Sequence, residues 1–298
     1  MLHRDREDIL FIVNPSSGTG NKRVIPSGIY SYLNGKKFQP HIEFTAYPGH
    51  ATEITCKALE MGIKKIVAVG GDGTVNEIAR VLLNKDISLG ILPQGSGNGL
   101  ARHLNIPIDL KKSIELLNNC REIKIDSGVV NERPFFCTSG VGFDAHIGSI
   151  FASKIRRGLR TYISSSVQEF FSYKPSEYSL FVNGEKIKTK AFLITFANSS
   201  QYGNNACISP YADIQDGLLD VCVLEPFPKR KALSIGLRLF NKNMHACSYL
   251  KIIQSREVVL HREEAGFIHL DGEPYKMGPE LSFSSVPSSL KVLVPPIS

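Results

Sequence analysis

Three times in the first hundred residues, a short apolar run ends in a glycine-rich turn. "ILFIV" (9–13) leads into "NPSSGTGN" (14–21). "KKIVAVG" (64–70) opens "VAVGGDGTVNEIAR" (67–80) at its glycines, and "ISLGILP" (87–93) opens "LPQGSGNGLA" (92–101). Continuous apolar runs of this length read as strands buried on both faces. The segments between them read as helices: "PSGIYSYLNG" (26–35) closing on Gly35, "ATEITCKALEMG" (51–62) ending at Gly62, "VNEIARVLLN" (75–84) and "LKKSIELLNN" (110–119). "FQPHIEFT" (38–45) supplies a further strand. Strand alternating with helix requires a parallel sheet covered on both faces.

After Ile123 the pattern changes. "FFCTSGVGF", "EYSLFV", "KTKAFLITFAN", "GLLDVCVL", "REVVLHR", "FIHLDG", "LSFSSV" and "LKVLVP" read as strands. Asn183-Gly184 between two of them is a hairpin signal. Helical stretches interrupt only near 146–172 and 229–247. The expected organisation is an α/β domain over 1–126, then a β-rich antiparallel sandwich domain over 127–298, with the boundary near 123–130. The last strand is free to pack back on the first domain.

Composition restricts the classes that remain. The 298 residues suit two domains, and 42% apolar with 21% charged residues is ordinary for a soluble chain. The six cysteines form no CxxC pair, so neither a zinc ribbon nor a disulfide framework is suggested, and a reducing cytoplasmic setting is expected. No apolar run is long enough for a signal core or a membrane span. The net charge of +7 suits acidic partners: nucleotides, nucleic acid or anionic lipid.

The glycine turns lie where open parallel sheets bind ligands, at the carboxyl ends of strands. Thr74-Val-Asn-Glu77 fits a capping box, so a helix is expected to start at the glycines, where N–H groups and the positive end of its dipole attract phosphate. A carboxylate there, Asp72, repels phosphate unless a bridging Mg²⁺ intervenes. GxxxxGK[ST] is absent, and "GSGNGL" does not have GxGxxG spacing, so a P-loop and a nicotinamide dehydrogenase are disfavoured.

"NPSSG", "GGDGTVNE" and "LPQGSGNGLA", in this order and near this spacing, resemble the diacylglycerol kinase catalytic domain family, which includes bacterial lipid kinases and the sphingosine and ceramide kinases. "DSGVVN" through "FFCTSGVGFDA" (126–145), "SPYADIQDGLLDV" (209–221) and "HLDGEP" (269–274) extend the resemblance over nearly the whole chain. It implies the NAD-kinase-like α/β plus β-sandwich fold and phosphoryl transfer from ATP to a lipid hydroxyl, first to diacylglycerol. By position, Asn14, Pro15, Ser17, Gly18, Thr45, Gly70, Gly71, Asp72, Gly73, Thr74, Val75, Asn76, Gly95, Ser96 and Asn98 line the nucleotide. Asp72 acts through Mg²⁺. Glu273 is the base, with Asp271 beside it. A structural Mg²⁺ takes Asp216 and the carbonyls of Asp213 and Leu218. Asp126 and Asp144 match acidic positions near the active site, although either could be only a strand-end turn residue.

Two positions depart from the bacterial pattern. Gly99 stands where bacterial diacylglycerol kinases usually carry Asp, which brings "GSGNGLA" closer to the sphingosine kinase form. Thr19 replaces a common basic residue, and Lys22 and Arg23 are the nearest cations. The basic amphipathic stretch 147–171, with Lys154, Arg156, Arg157 and Arg160, is the candidate lipid entrance; "KRKALSIGLRLF" (229–240) is a weaker one. A packed helix with a solvated basic face is the plain alternative for both. The expected partners are ATP and a lipid substrate met peripherally at an anionic membrane surface, with no nucleic acid; a homodimer is admitted. A sphingoid-base or other lipid-alcohol kinase, an NAD kinase, and a non-catalytic nucleotide- or lipid-binding regulator stand as alternatives.

Overall fold

The computed structural model describes residues 6–18, 22–152 and 168–297. The chain divides into two units, residues 1–125 with 288–298, and residues 126–287.

Unit one runs β1 (Glu7–Val13), α1 (Val24–Tyr32), β2 (Phe38–Phe44), α2 (His50–Glu60), β3 (Lys65–Gly70), α3 (Asp72–Leu82), β4 (Ser88–Pro93), α4 (Gly99–His103) and α5 (Leu110–Asn118). Its strands lie in the order β2-β1-β3-β4, all parallel. Lys291 and Val292 of the returning chain pair in parallel with Ser88 and Leu89. β4 is buried from end to end, and β1 and β3 over nearly their whole length, which is why their sequences do not alternate. Phe11, Val13, Val67 and Val69 meet Ile25 and Ile29 of α1 and Ile114 and Leu117 of α5 in one core.

Unit two begins within β5 (Arg121–Val130) and continues with β6 (Arg133–Phe135), β7 (Thr138–Gly142), α6 (Phe143–Ala152), β8 (Ser176–Val182), β9 (Glu185–Ala191), β10 (Leu193–Ala197), β11 (Leu219–Leu224), α7 (Ala232–Phe240), β12 (Leu250–Ser255), β13 (Glu257–Arg262), β14 (Gly266–Leu270), β15 (Glu273–Met277) and β16 (Glu280–Val294). One antiparallel sheet has the order β12-β11-β10-β7-β14-β15. The other pairs β9, β8, β13 and the first part of β16, also antiparallel. Phe135, Val141, Leu180, Phe196, Val221, Leu260, Ile268 and Phe283 fill the space between them. The outer face of the six-stranded sheet carries a second apolar layer, with Phe143, Phe170, Tyr173, Phe192 and Phe227 packed around Leu224, Ile235 and Met244.

Several expectations are corrected. α1 starts at Val24 and ends at Tyr32; Pro26 is accommodated in the first turn, where N–H groups need no helical acceptor, and Gly35 lies beyond the end. α3 starts at Asp72, not at Val75, and Gly71 is its N-cap with no side-chain cap. Thr74 and Glu77 therefore form no capping box. The Thr74 hydroxyl accepts from Asn14 Nδ2 at 3.0 Å, and the Glu77 carboxylate accepts from Gly49 N (3.0 Å) and Ala51 N (3.1 Å), capping α2 instead. "KTKAFLITFAN" is two strands in two sheets: it breaks at Phe192, whose N–H bonds Leu224 O as the chain changes layer. "LSFSSV" and "LKVLVP" are one strand, β16, interrupted by Pro287 and by Ser288 at φ 51°, where antiparallel pairing gives way to parallel. α4, β5, β12 and β15 carry no strong sequence signal. Asn183-Gly184 is the tight turn expected, with φ of 51° and 81° joining β8 to β9. The middle of the stretch 147–171, with Lys154, Arg156, Arg157 and Arg160, lies outside the described residues, as does Thr19.

Candidate active site

In unit one the carboxyl ends of β1, β3 and β4 are neighbours, so their three turns meet. Asn14 N bonds Val69 O at 2.9 Å, and Gln94 N bonds Gly70 O at 2.7 Å. Thr45 ends β2 beside them, its N–H on Val13 O at 2.9 Å. Within the first turn, the Asn14 side chain accepts from Ser16 N and the Ser17 hydroxyl donates to Asn14 O, both at 2.9 Å. Gly18 sits at φ 56°, and a Cβ there would lie 2.3 Å from Gln94 O. A Cβ on Gly95 would lie 2.4 Å from Gly71 Cα. The glycines thus serve first to let one turn's backbone lie against another's.

Asp72 fastens this arrangement. Its Oδ2 accepts from Asn98 N at 2.9 Å and its Oδ1 from Gly99 N at 2.7 Å, tying the start of α3 to the start of α4. Burial pushes the Asp72 carboxyl above the usual carboxylate range; the Gly99 and Asn98 N–H groups and the Arg102 charge pull the other way. Asn98, at φ 52°, spends its amide on Gly95, accepting from its N–H at 3.0 Å and donating to its carbonyl at 2.9 Å. Ser96 is exposed. Asn76 is buried in α3, and its Nδ2 has no partner among the described residues. Lys22 is buried with its ammonium 3.3 Å from both the carbonyl and the side-chain oxygen of Gln94; burial lowers its pKa.

In unit two, Asp271 and Gly272 form the two-residue turn between β14 and β15, at φ 50° and 87°. The Asp271 carboxylate accepts from three successive backbone N–H groups: Phe136 at 2.8 Å, Cys137 at 2.7 Å and Thr138 at 2.9 Å. Asp271 therefore fixes the turn, and exposed Glu273 follows it, touched by the Tyr275 hydroxyl at 3.1 Å. Asp126 is fully buried in β5 and accepts from Gly217 N at 2.7 Å, which pins the loop carrying Asp213, Asp216 and Leu218. Asp213 accepts from Gln215 N and Asp216 from Leu218 N. Desolvation raises the Asp216 pKa, the Leu218 N–H opposes it, and the charges of Asp213, Asp220 and Asp126 add to the rise. Among the described residues no group of three His, Cys, Asp or Glu side chains could hold a metal by itself.

Asp144 lies in the first turn of α6 and is buried. Its Oδ2 meets the Thr195 hydroxyl (3.0 Å), His269 Nε2 (3.1 Å) and the Tyr202 hydroxyl (3.3 Å), and its Oδ1 accepts from Ala145 N (2.7 Å). His269 Nδ1 is buried with no partner among the described residues. His269, Thr195 and Tyr202 were not marked by sequence. The signal available for His269 was its place at the head of "HLDGEP", two residues before Asp271.

A parallel sheet with three joined glycine turns at its carboxyl edge, followed by an antiparallel sandwich, defines a two-unit kinase fold. The model of the diacylglycerol kinase catalytic domain matches residues 8–130, and that of the YegS C-terminal NAD kinase beta sandwich-like domain matches residues 138–294. The chain belongs to this diacylglycerol kinase and YegS family of lipid kinases. It is 28% identical over 295 residues to a diacylglycerol kinase of Mycobacterium tuberculosis (strain H37Rv), covering 95% of this chain and 94% of that one. A "probable lipid kinase YegS-like" protein of Pseudomonas aeruginosa (strain UCBPP-PA14) is 28% identical, covering 98% and 95%. The crystal structure of a diacylglycerol kinase from Bacillus anthracis str. Sterne shares the fold at a TM-score of 0.75, with 20% identity and 98% of each chain covered. No helix among the described residues is long and apolar enough to cross a membrane.

Proposed function

We propose that this protein transfers the γ-phosphate of ATP to the hydroxyl of a membrane lipid, with diacylglycerol as acceptor and phosphatidic acid as product. The observation that carries the reading is the joined set of glycine turns in a chain of the lipid kinase family. Phosphoryl transfer is mostly positioning and charge neutralisation, and backbone turns at helix starts supply both. Asn14, Ser17, Gly18, Thr45, Gly70 to Asn76, Gly95 and Ser96 bind the nucleotide, with Asn76 Nδ2 offering an unspent donor. Lys22 supplies the cation that Thr19 does not. Mg²⁺, when bound, neutralises the phosphates; Asp72 suits it only as one carboxylate among phosphate and water oxygens, since both its oxygens already accept backbone N–H groups.

Glu273 takes the proton from the acceptor hydroxyl. The hydroxyl oxygen bonds to the γ-phosphorus, the bond from that phosphorus to the β–γ bridging oxygen breaks, and ADP leaves. Asp271 holds Glu273 in place through its three N–H bonds and so is a positioning residue. Asp126 positions the Asp213–Leu218 loop, where the Asp216 side chain and the carbonyls of Asp213 and Leu218 would hold a structural Mg²⁺. Asp144 is the polar group on the acceptor side, and Arg156, Arg157 and Arg160, which lie outside the described residues, are the cations assigned to the lipid side from sequence.

Gly99 favours a second acceptor, a sphingoid base or another lipid alcohol. Its N–H bonds Asp72, where the bacterial pattern would add a second carboxylate. The test is transfer of labelled γ-phosphate to diacylglycerol, monoacylglycerol, sphingosine and ceramide in mixed micelles, with NAD as soluble control. Label in diacylglycerol is expected, falling by orders of magnitude in Glu273→Gln. Label in sphingosine alone moves the acceptor to the second reading, and label in NAD alone overturns both.

A further inference from the structure

α7 has two faces. Ile235 is buried and packs with Leu224, Met244 and Cys247, fastening the helix to unit two. On the opposite side Leu233, Leu237 and Phe240 are 76%, 55% and 42% exposed. At 100° per residue these three fall within an arc of about 60°, so they form one apolar ridge. Cations flank it: Lys229, Arg230 and Lys231 in the preceding turn, Arg238 in the helix and Lys242 after it, all but Arg238 exposed. Lys229 Nζ donates to Phe171 O at 2.9 Å and lies 5.5 Å from the centre of the Phe171 ring, adding a fourth apolar side chain, 63% exposed. Between Glu225 and Glu257 the sequence carries seven lysines and arginines and no carboxylate.

Solvated basic helices are ordinary, but they do not need three large apolar side chains aligned in water beside the charges. An apolar ridge bordered by cations is complementary to an interface with acyl chains beneath and anionic headgroups above. A second copy of the chain meets this surface poorly, because a two-fold contact would bring the same cations face to face.

We propose that the ridge Leu233–Leu237–Phe240, with Lys229, Arg230, Lys231 and Arg238, docks the protein on an anionic lipid bilayer. The inference deepens the lipid kinase reading by naming the surface that delivers the enzyme to its acceptor. Each cation contributes about fivefold to partitioning onto an anionic surface, so the affinity falls steeply with salt.

The test is cosedimentation of the full chain, without nucleotide, with vesicles of phosphatidylcholine alone or mixed with phosphatidylglycerol. The protein is expected to pellet with the mixed vesicles and to be released by salt. The charge pair Arg230→Glu/Lys231→Glu and the triple Leu233→Ser/Leu237→Ser/Phe240→Ser should each lose binding at least about tenfold. Lys188→Glu/Lys190→Glu, the same charge change on exposed positions of β9, should bind as the parent does. Melting temperatures unchanged across the set show that folding is intact. Absence of wild-type binding, or equal loss in the β9 variant, overturns the proposal. So does a triple variant that still binds vesicles but turns a dimer into a monomer, since the ridge then covers a second copy. Phosphoryl transfer to detergent-dispersed acceptor is read separately on the same variants. Docking can thus fail while transfer stands, and transfer to lipid can fail while docking stands.

Discussion

The two units build their candidate chemistry from different parts of the chain. In unit one the apparatus is backbone: turns following β1, β3 and β4, held together by glycines and by Asp72. In unit two it is side chains, above all carboxylates, of which Asp126, Asp144 and Asp271 are held by groups far away in sequence. Asp271 accepts from residues 133 to 135 positions earlier, and Asp144 pairs with His269 across 125 positions. A backbone site is set by where strands end, so it admits no added Cβ and leans on few side chains, here Asn14, Asp72 and Asn98. A side-chain site is set by the fit between strands, so single substitutions there separate chemistry from folding.

The largest expected effect comes from Glu273→Gln. Glu273 is exposed, and among the described residues its carboxylate bonds only the Tyr275 hydroxyl, so its loss should lower phosphoryl transfer roughly 10²–10⁴-fold with no change in melting temperature. An unchanged rate would remove Glu273 as the base. Asp271→Ala should act through stability instead. Three N–H groups lose a charged acceptor, at about 1–3 kcal/mol for each one left buried and unpaired, so a loss of about 3 kcal/mol or more is expected in chemical denaturation. Asp271→Asn, which keeps one acceptor oxygen, should lose less. If Asp271→Ala denatures like the parent while its transfer collapses, Asp271 takes part in chemistry directly.

Gly95→Ala probes the other side of the comparison. The new methyl meets Gly71 Cα, and forcing the turns apart should cost about 1–3 kcal/mol and weaken ATP binding together. Normal ATP binding in that variant would show that the turns need not touch. The smallest effect is expected from Lys22→Met. Burial lowers the Lys22 pKa, so between that lowered value and 10.5 the unfolded chain holds a proton that the folded one releases. Stability from this group therefore rises with pH through that window. Lys22→Met should flatten the rise and slightly raise the melting temperature at neutral pH, while weakening affinity for ATP. A steeper pH dependence in the variant would reverse the sign of this argument.

The same contrast explains what could be read from sequence. The apolar runs 9–13, 64–70 and 87–93 announce buried parallel strands, and their order alone brings three turns to one edge. The roles of Thr74 and Glu77 were not legible, because a local capping pattern competes with two tertiary partners, Asn14 and the start of α2, that no spacing reveals. In unit two most of the strands were legible, β12 and β15 excepted, and their sheets were not: nothing local at Phe192 says that β9 and β10 belong to different layers. Asp-Gly is a hairpin-turn dipeptide, so the turn at Asp271-Gly272 has a local signal in the sequence. The nest of N–H groups around Asp271 has none, since it depends on β7 lying beside β14. The network of Asp144 with Thr195, Tyr202 and His269 fails to show for the same reason: its members come from α6, β10, the loop after β10, and β14.

The proposed division of labour between a nucleotide-binding backbone and an acceptor-side carboxylate is tested most directly by titrating ATP with Mg²⁺ into Glu273→Gln and following heat. The account predicts parent-like ATP affinity in a protein that has lost transfer by orders of magnitude. Loss of ATP affinity in step with activity, from a variant whose melting temperature is unchanged, would contradict it by making Glu273 part of the nucleotide site.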